Sequence, residues 1–380
     1  MALVKPDTAS FARIKVLGIG GGGSNAINTM IEEDSIKGVE FIAVNTDVQA
    51  LLVNKTETKI QIGEKLTRGL GSGGDPDIGR HAAEESREKI KEYLGDTDMV
   101  FIGGGMGGGT CTGASPIIAE ISKELGALTI AVVTKPFAFE GTRRMVIAED
   151  GIENLRNKVD TLIVIPNQRI MEVIDQKVTL VEAFKIVDGV LSQGVQGISD
   201  IITIPGLINV DFADVKAIMS DAGSSLLGIG TGVGENRAQA AARGAISSRL
   251  LDISIEGAKG ILFNVTGGKD LTMTEVDEAA KIISAAADAD ANIIFGAVID
   301  ETMVDQIKII VIATGFDEAR LRLAKLARLK VPKREPEGIV SEEPEPKGEI
   351  KEPEEEPKKE EPEEEDYSGF DIPAFLRQGK

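Results

Sequence analysis

Short apolar runs that end in glycine alternate with stretches whose apolar residues recur every three or four positions. The runs Arg13–Ile19, Val39–Val44, Asp98–Ile102, Ala127–Val133 and Asp160–Ile165 read as strands, most of them buried in a parallel sheet. Between them, Ala26, Ile27, Met30 and Ile31, then Asp77 to Tyr93, then Ala114 to Ile121, carry helical spacing, with Gly95 as a stop after the second. The longest helical pattern runs from Thr179 to Ile202 through Leu180, Ala183, Phe184, Val187, Leu191, Val195 and Ile198. Beyond it, Gly260–Val265, Asn292–Gly296 and Lys308–Ala313 are the clearest strands of a smaller α+β region with one or two helices. The expectation is an α/β fold with a mostly parallel sheet, a long central helix and a second, smaller domain.

Three glycine-rich loops sit where strands give way to helices. Gly103 to Gly113 holds seven glycines in eleven residues, between the strand ending at Ile102 and the helix opening at Ala114. Gly20 to Asn25 makes a second such turn, and Leu66 to Pro76, with Gly71, Ser72 and Gly73, a third. Backbone N–H groups converge at such turns, no side chain blocks the approach, and the helix N-terminus adds partial positive charge, so an anion is the expected occupant. Gly18, Gly20 and Gly23 also satisfy G-x-G-x-x-G, and Asn45-Thr46-Asp47 lies about where a ribose-binding acid would, so a nicotinamide-dependent dehydrogenase competes at this point. Three loops suit a longer phosphate chain better than one pyrophosphate. The Walker lysine is missing, which leaves a triphosphate site built on backbone amides.

Composition narrows the chemistry. The chain has 380 residues, enough for two cores at roughly 150 residues per domain. One cysteine, Cys111, excludes an internal disulfide and a multi-cysteine metal site. One histidine, His81, excludes a histidine triad and reads as a surface residue. No apolar run reaches the ~18 residues of a membrane span, and Met1 to Ser10 lacks a signal-peptide core, so a cytoplasmic protein without direct membrane insertion is expected. Of the net charge of −20, half comes from residues 331–366, where sixteen acids meet six bases, and seven of the fourteen prolines lie there too. That is a solvated, self-repelling linker. Nucleic-acid binding finds no support in it. The apolar cluster that follows, Tyr367 to Arg377, reads as a peptide that folds onto a partner.

Gly107-Gly108-Gly109-Thr110-Cys111-Thr112-Gly113 resembles the GGGTG[ST]G signature of the tubulin/FtsZ GTPase family. Gly20 to Asn25, the Asn45-Thr46-Asp47 turn and Leu66 to Gly74 follow the same family's order, and the resemblance runs on to Phe316 and resumes in the tail. It points to the bacterial cell-division members, with the tail arguing against archaeal and plasmid-borne relatives and against tubulin itself. The resemblance implies a Rossmann-like GTP-binding domain over residues 1–178, a connecting helix over 179–203 and a C-terminal activation and polymerisation domain over 204–316. A basic stretch and disordered acidic linker over 317–366 and a partner-binding peptide over 367–380 complete the expected order.

It implies a site for GTP or GDP that includes Gly21, Gly22, Gly23, Ser24, Asn25, Asn45, Asp47, Gly71, Ser72, Gly73, Gly107, Gly108, Gly109, Thr110, Cys111, Thr134 and Pro136. Mg²⁺ is expected to be held mainly by phosphates and water, with no metal ligands assigned to the protein. Glu140 would contact ribose, Arg144 would lie near the nucleotide, Phe184 would pack on guanine, and Asp188 would accept from its N1–H and exocyclic amine. Pro205 to Asp214 matches the family loop that acts on the neighbouring subunit's nucleotide, so Asp211 and Asp214 would polarise water and Asn209 would touch phosphate. From the residues alone, Glu140 and Arg144 are equally an i, i+4 surface pair, and Asp211 equally a helix cap. Head-to-tail filaments forming the cytokinetic ring at the division site are the implied activity. The tail, Asp371 to Arg377, would dock membrane-tethering and regulatory division proteins. Two departures stand out. Cys111 replaces a glycine, bringing either a negative φ or strain and a thiol within reach of the phosphates, and Ser24 replaces an asparagine common among relatives.

Overall fold

The computed structural model describes residues 12–33, 36–171, 178–204, 206–208, 210–248 and 255–316. The first half alternates strand and helix: β1 (Ile14–Ile19), α1 (Gly20–Glu32), β2 (Val39–Asn45), α2 (Val48–Val53), β3 (Thr58–Gln61), α3 (Glu64–Thr67), α4 (Pro76–Glu85), α5 (Arg87–Leu94), β4 (Met99–Gly105), α6 (Thr110–Glu124), β5 (Leu128–Lys135), α7 (Thr142–Arg156), β6 (Thr161–Pro166) and α8 (Asn167–Met171). The long helix α9 (Leu180–Thr203) and α10 (Phe212–Met219) lead to β7 (Gly223–Val233), α11 (Arg237–Ile246), β8 (Gly260–Gly267), α12 (Met273–Ala286), β9 (Asn292–Ile299) and β10 (Gln306–Thr314).

Among the described residues the strands form one ten-stranded sheet in the order β3-β2-β1-β4-β5-β6-β7-β10-β8-β9. Every pair from β3 to β7 is parallel, as is β8 with β9, and only β10 runs antiparallel to its neighbours β7 and β8. The smaller C-terminal part joins through β7, whose first residues pair with β6 while the rest pairs with β10. Nothing in the apolar pattern announced β7. Its Gly228, Gly230 and Gly232 face the backbone of α11 so closely that a Cβ at any of them would overlap a carbonyl there. The strand trades side chains for direct helix-on-strand contact.

Strand alternation sorts the core onto two faces. Val16, Phe101, Ile130 and Ile163 point to the side covered by α1, α9 and α10, while Leu17, Ile102, Ala131 and Leu162 point to the side covered by α4, α5, α6 and α7. A third cluster packs α11 and α12 on the C-terminal strands. The helix expected over Asp77 to Tyr93 breaks in two at Ser86, whose hydroxyl accepts the Gly63 N–H at 3.0 Å. Helix α9 starts at a capping box in which Thr179 and Glu182 each bond the other's backbone N–H. His81 is exposed, as expected. The linker and tail, residues 331–380, lie outside the described residues.

Candidate nucleotide site

The carboxyl ends of β1, β2, β4 and β5 converge, which is the ligand side of a parallel sheet. The glycine runs there are less loop than expected. Helix α1 begins at Gly20 and α6 at Thr110, and neither has a side-chain cap, so their first amides are bare. Gly20 carries φ +70°, and its own Cβ direction meets the Cys111 N at 3.3 Å, so the two helix starts nearly touch. Gly22 stands as near to the Gly105 N, at 3.2 Å from its Cβ direction. The third loop closes over this pair. Its Ser72 and Asp75 press on Gly109, where no side chain would fit. Gly21, Gly73 and Gly108 border open space, with nothing within 4 Å of the Cβ each lacks. A cradle of bare amides with an open mouth is thus in place, and its chemistry fits an anion.

Side chains around the cradle serve the loops first. Asp47 caps α2, its Oδ1 accepting the amides of Gln49 at 2.8 Å and Ala50 at 3.4 Å, and Asn45 Oδ1 accepts the Asp47 N–H at 3.3 Å. Buried Ser24 leaves its Oγ without a hydrogen-bond partner. Gly107, at φ +96°, gives its N–H to Thr112 Oγ1 at 2.9 Å.

Cys111 corrects an expectation. It sits in the first turn of α6, is not among the described residues with positive φ, and so carries no left-handed strain. Its side chain is buried with the core of the α6 face, Sγ 3.4 Å from Ser115 Oγ and 3.9 Å from Met106 Sδ, and burial pushes the thiol up to about 11. The thiol does not face the phosphate cradle. What Cys111 can offer an anion is its backbone N–H.

Beside the cradle lies a cavity of about 240 Å³. It brings together eight residues from distant parts of the sequence reading: Gly22, Asn25, Thr134, Pro136, Glu140, Arg144, Phe184 and Asp188. Glu140 and Arg144 are the expected i, i+4 pair at 2.9 Å, and Glu140 also accepts the Phe137 N–H at 2.8 Å. Both the surface-pair geometry and the cavity position are therefore real. Phe137 is buried and holds the aromatic wall, stacked on Phe139 and edge-on to Phe184 at 5.5 Å. Burial raises the Asp188 carboxyl to about 7. Sequence reasoning missed Asn167, which lines the same cavity, is buried, and has an Oδ1 without a hydrogen-bond partner. Its signal was positional: a polar residue immediately after β6 at the ligand end of a parallel strand. Two acceptor groups, Asp188 and Asn167, on the wall of a cavity next to an anion cradle match a base that presents donors, as guanine does.

Asp211 and Asp214 are not part of this cavity. Both are exposed, and Asp211 Oδ1 caps α10 by accepting the Asp214 N–H at 2.8 Å. Asn209 lies outside the described residues.

Residues 13–175 match the family model described as Tubulin/FtsZ family, GTPase domain, and residues 223–317 match the FtsZ family, C-terminal domain. Among solved structures, the empty FtsZ dimer from M. jannaschii is 48% identical, covering 81% of this chain and 89% of its own, at a TM-score of 0.77. A single-substitution variant of M. jannaschii FtsZ gives 48% identity, 82% and 92% coverage, and a TM-score of 0.78. CetZ2 from Haloferax volcanii, solved as a GTPγS-bound protofilament, shares the fold at 17% identity, a TM-score of 0.68, and coverage of 83% and 98%. With the bare helix starts, the glycine cradle and the acceptor-lined cavity in place, the chain belongs to the FtsZ branch of the tubulin/FtsZ family of GTPases.

Proposed function

We propose that this GTPase completes its active site only between two molecules stacked head to tail. The observation that carries this reading is the span of α9. Phe184 and Asp188 line the base cavity near its start, and Asp211 and Asp214 follow its end. From Asp188 to Thr203 the helix alone covers about 22 Å, at 1.5 Å per residue. Asp211 and Asp214 are therefore poor candidates for the nucleotide of their own molecule, yet their exposure suits the nucleotide of the next one. Such a heterologous contact repeats without closing and gives a filament. The M. jannaschii FtsZ dimer, at 48% identity, supports self-association.

In this reading the amides of α1 and α6, with Gly21 to Asn25, Asn45, Asp47, Gly71 to Gly73 and Gly107 to Cys111, hold the phosphates. Thr134, Pro136, Glu140 and Arg144 flank the sugar side. Guanine stacks on Phe184, gives its N1–H and amine to Asp188, and gives a further donor to Asn167. The incoming Asp211 and Asp214 orient and polarise water toward the terminal phosphate, and Asn209 of the same loop touches phosphate. Mg²⁺ accompanies the nucleotide and neutralises phosphate charge. In this reading its ligands are mainly phosphate oxygens and water. The filaments would build the cytokinetic ring in the cytoplasm. Tethering to the membrane would fall to proteins that bind the Asp371 to Arg377 tail. Among the described residues no helix is long and apolar enough to cross a membrane.

Complementation tests the shared site. Asp214→Ala keeps its pocket and lacks the acting carboxylate, and Asp188→Leu keeps the carboxylates and lacks the base contact. At limiting GTP each variant alone should turn over slowly, while their mixture should recover activity well above the sum. A mixture no faster than the sum would place both halves of the site in one molecule.

A further inference from the structure

Three buried hydroxyls meet at the head of α6. Thr46 Oγ1 lies 2.7 Å from Thr110 Oγ1, and Ser72 Oγ lies 3.0 Å from the same atom. They come from two separate loops and the first turn of α6, and all three side chains are buried. We propose that Thr46 and Ser72 are positioning residues that act through Thr110, holding its hydroxyl so that its one proton points at a phosphate oxygen. The inference rests on reading these loops as the nucleotide site. It adds Thr46 to that machinery and changes the role of Ser72 from contact to support.

A hydroxyl donates once and accepts twice. Two O···O contacts among three hydroxyls use two protons and leave one over. If Thr46 and Ser72 both donate inward, the lone pairs of Thr110 are filled and the spare proton is its own. Thr110 is also the first residue of α6, beside amides that no side chain caps. An anion there gives the spare proton an acceptor and selects the inward arrangement. Without an anion the chain has no reason to prefer that direction over either end-to-end one. The bonds also polarise one another, so an inward pair makes Thr110 a better donor than a lone threonine.

The same contacts tie the anion to the loop over residues 66–74. Ser72 is pressed against Gly109, and the Gly71 N–H reaches the Thr46 carbonyl at 3.3 Å. Fixing the Thr110 proton therefore also strengthens the hold on Ser72 and its loop.

A double-mutant cycle on affinity for a fluorescent GTP analogue, read at equilibrium, tests the relay. In the otherwise wild-type chain, Thr46→Val and Ser72→Ala should each weaken binding roughly three- to tenfold, the range of one neutral hydrogen bond. In a Thr110→Val background neither should weaken it further by more than about twofold, the scatter of independent sites. Thr46→Ser and Thr110→Ser keep the hydroxyls and should stay near wild type. The cycle is repeated in Thr110→Ala, so that a poor fit of one replacement does not decide the outcome. Equal losses in both backgrounds would mean that Thr46 and Ser72 touch phosphate directly or act only on folding, and would overturn the relay. Single variants that bind as wild type would overturn it too. A wild-type chain that binds no guanine nucleotide would instead overturn the nucleotide site beneath it.

Discussion

Asp211 Oδ1 accepts the backbone N–H of Asp214 at 2.8 Å, so the two carboxylates at the head of α10 carry different structural burdens. Asp211 satisfies one of the helix's orphan donors, and Asp214 contributes only its place in the first turn.

The first prediction separates capping from chemistry. Asp211→Ala should cost about 1 kcal/mol of stability, whereas Asp211→Ser keeps a capping oxygen and should cost little. Asp214→Ala should shift stability by no more than about 0.5 kcal/mol. All three should still bind GTP and should turn it over slowly. Urea melts alongside turnover assays check this, and wild-type turnover by Asp211→Ser would reduce Asp211 to a cap.

If Asp188 meets the base as proposed, nucleotide affinity should depend on pH. Its carboxyl sits near 7 in the free protein because burial penalises the charge. Guanine's two donors favour the carboxylate and lower that value on binding, so binding near neutral pH releases a proton. Affinity should therefore be full above pH 7 and fall as pH drops, by about tenfold for each unit below it. Asp188→Asn should bind GDP about 1–3 kcal/mol more weakly at pH 8, through the lost charged hydrogen bond. The ratio of wild-type to variant affinity, which cancels the nucleotide's own titration, should shrink toward low pH. A ratio constant from pH 6 to pH 8 would mean that Asp188 does not meet the base.

Cys111 should react slowly with a small thiol reagent whether or not nucleotide is bound, because the thiol is buried and held up to about 11. Cys111→Gly keeps the backbone N–H but empties packed space and loosens a helix, so it should cost about 1–2 kcal/mol of stability with GTP binding retained. Fast labelling that GTP suppresses would return the thiol to the phosphate side.

What the sequence made legible is what acts over short range. The glycine turns and the acid capping α10 each depend on residues within a few positions. Their identity, together with the family signature, pointed to the turns at the strand ends and to most of the residues that line the cavity. Cys111 was misplaced because its glycine-rich neighbours hid the helical phase. Cys111, Ala114, Ile118 and Ile121 share the buried face of α6, at steps of three and four. Asn167 was silent for another reason. Its partners in the cavity come from α1, β4, β5, α7 and α9, and only the sheet order brings them together. The break at Ser86 and the strand β7 likewise answer to tertiary contacts, a backbone N–H from Gly63 in one case and the close approach of α11 in the other.

The shared active site is tested most directly by turnover per molecule across a range of protein concentrations at saturating GTP. With the base cavity at one end of α9 and Asp211 and Asp214 beyond the other, an isolated molecule should bind GTP and barely hydrolyse it. Turnover per molecule should stay near zero when the protein is dilute and rise sharply above a threshold at which filaments sediment. A turnover per molecule that holds constant down to nanomolar protein would contradict it.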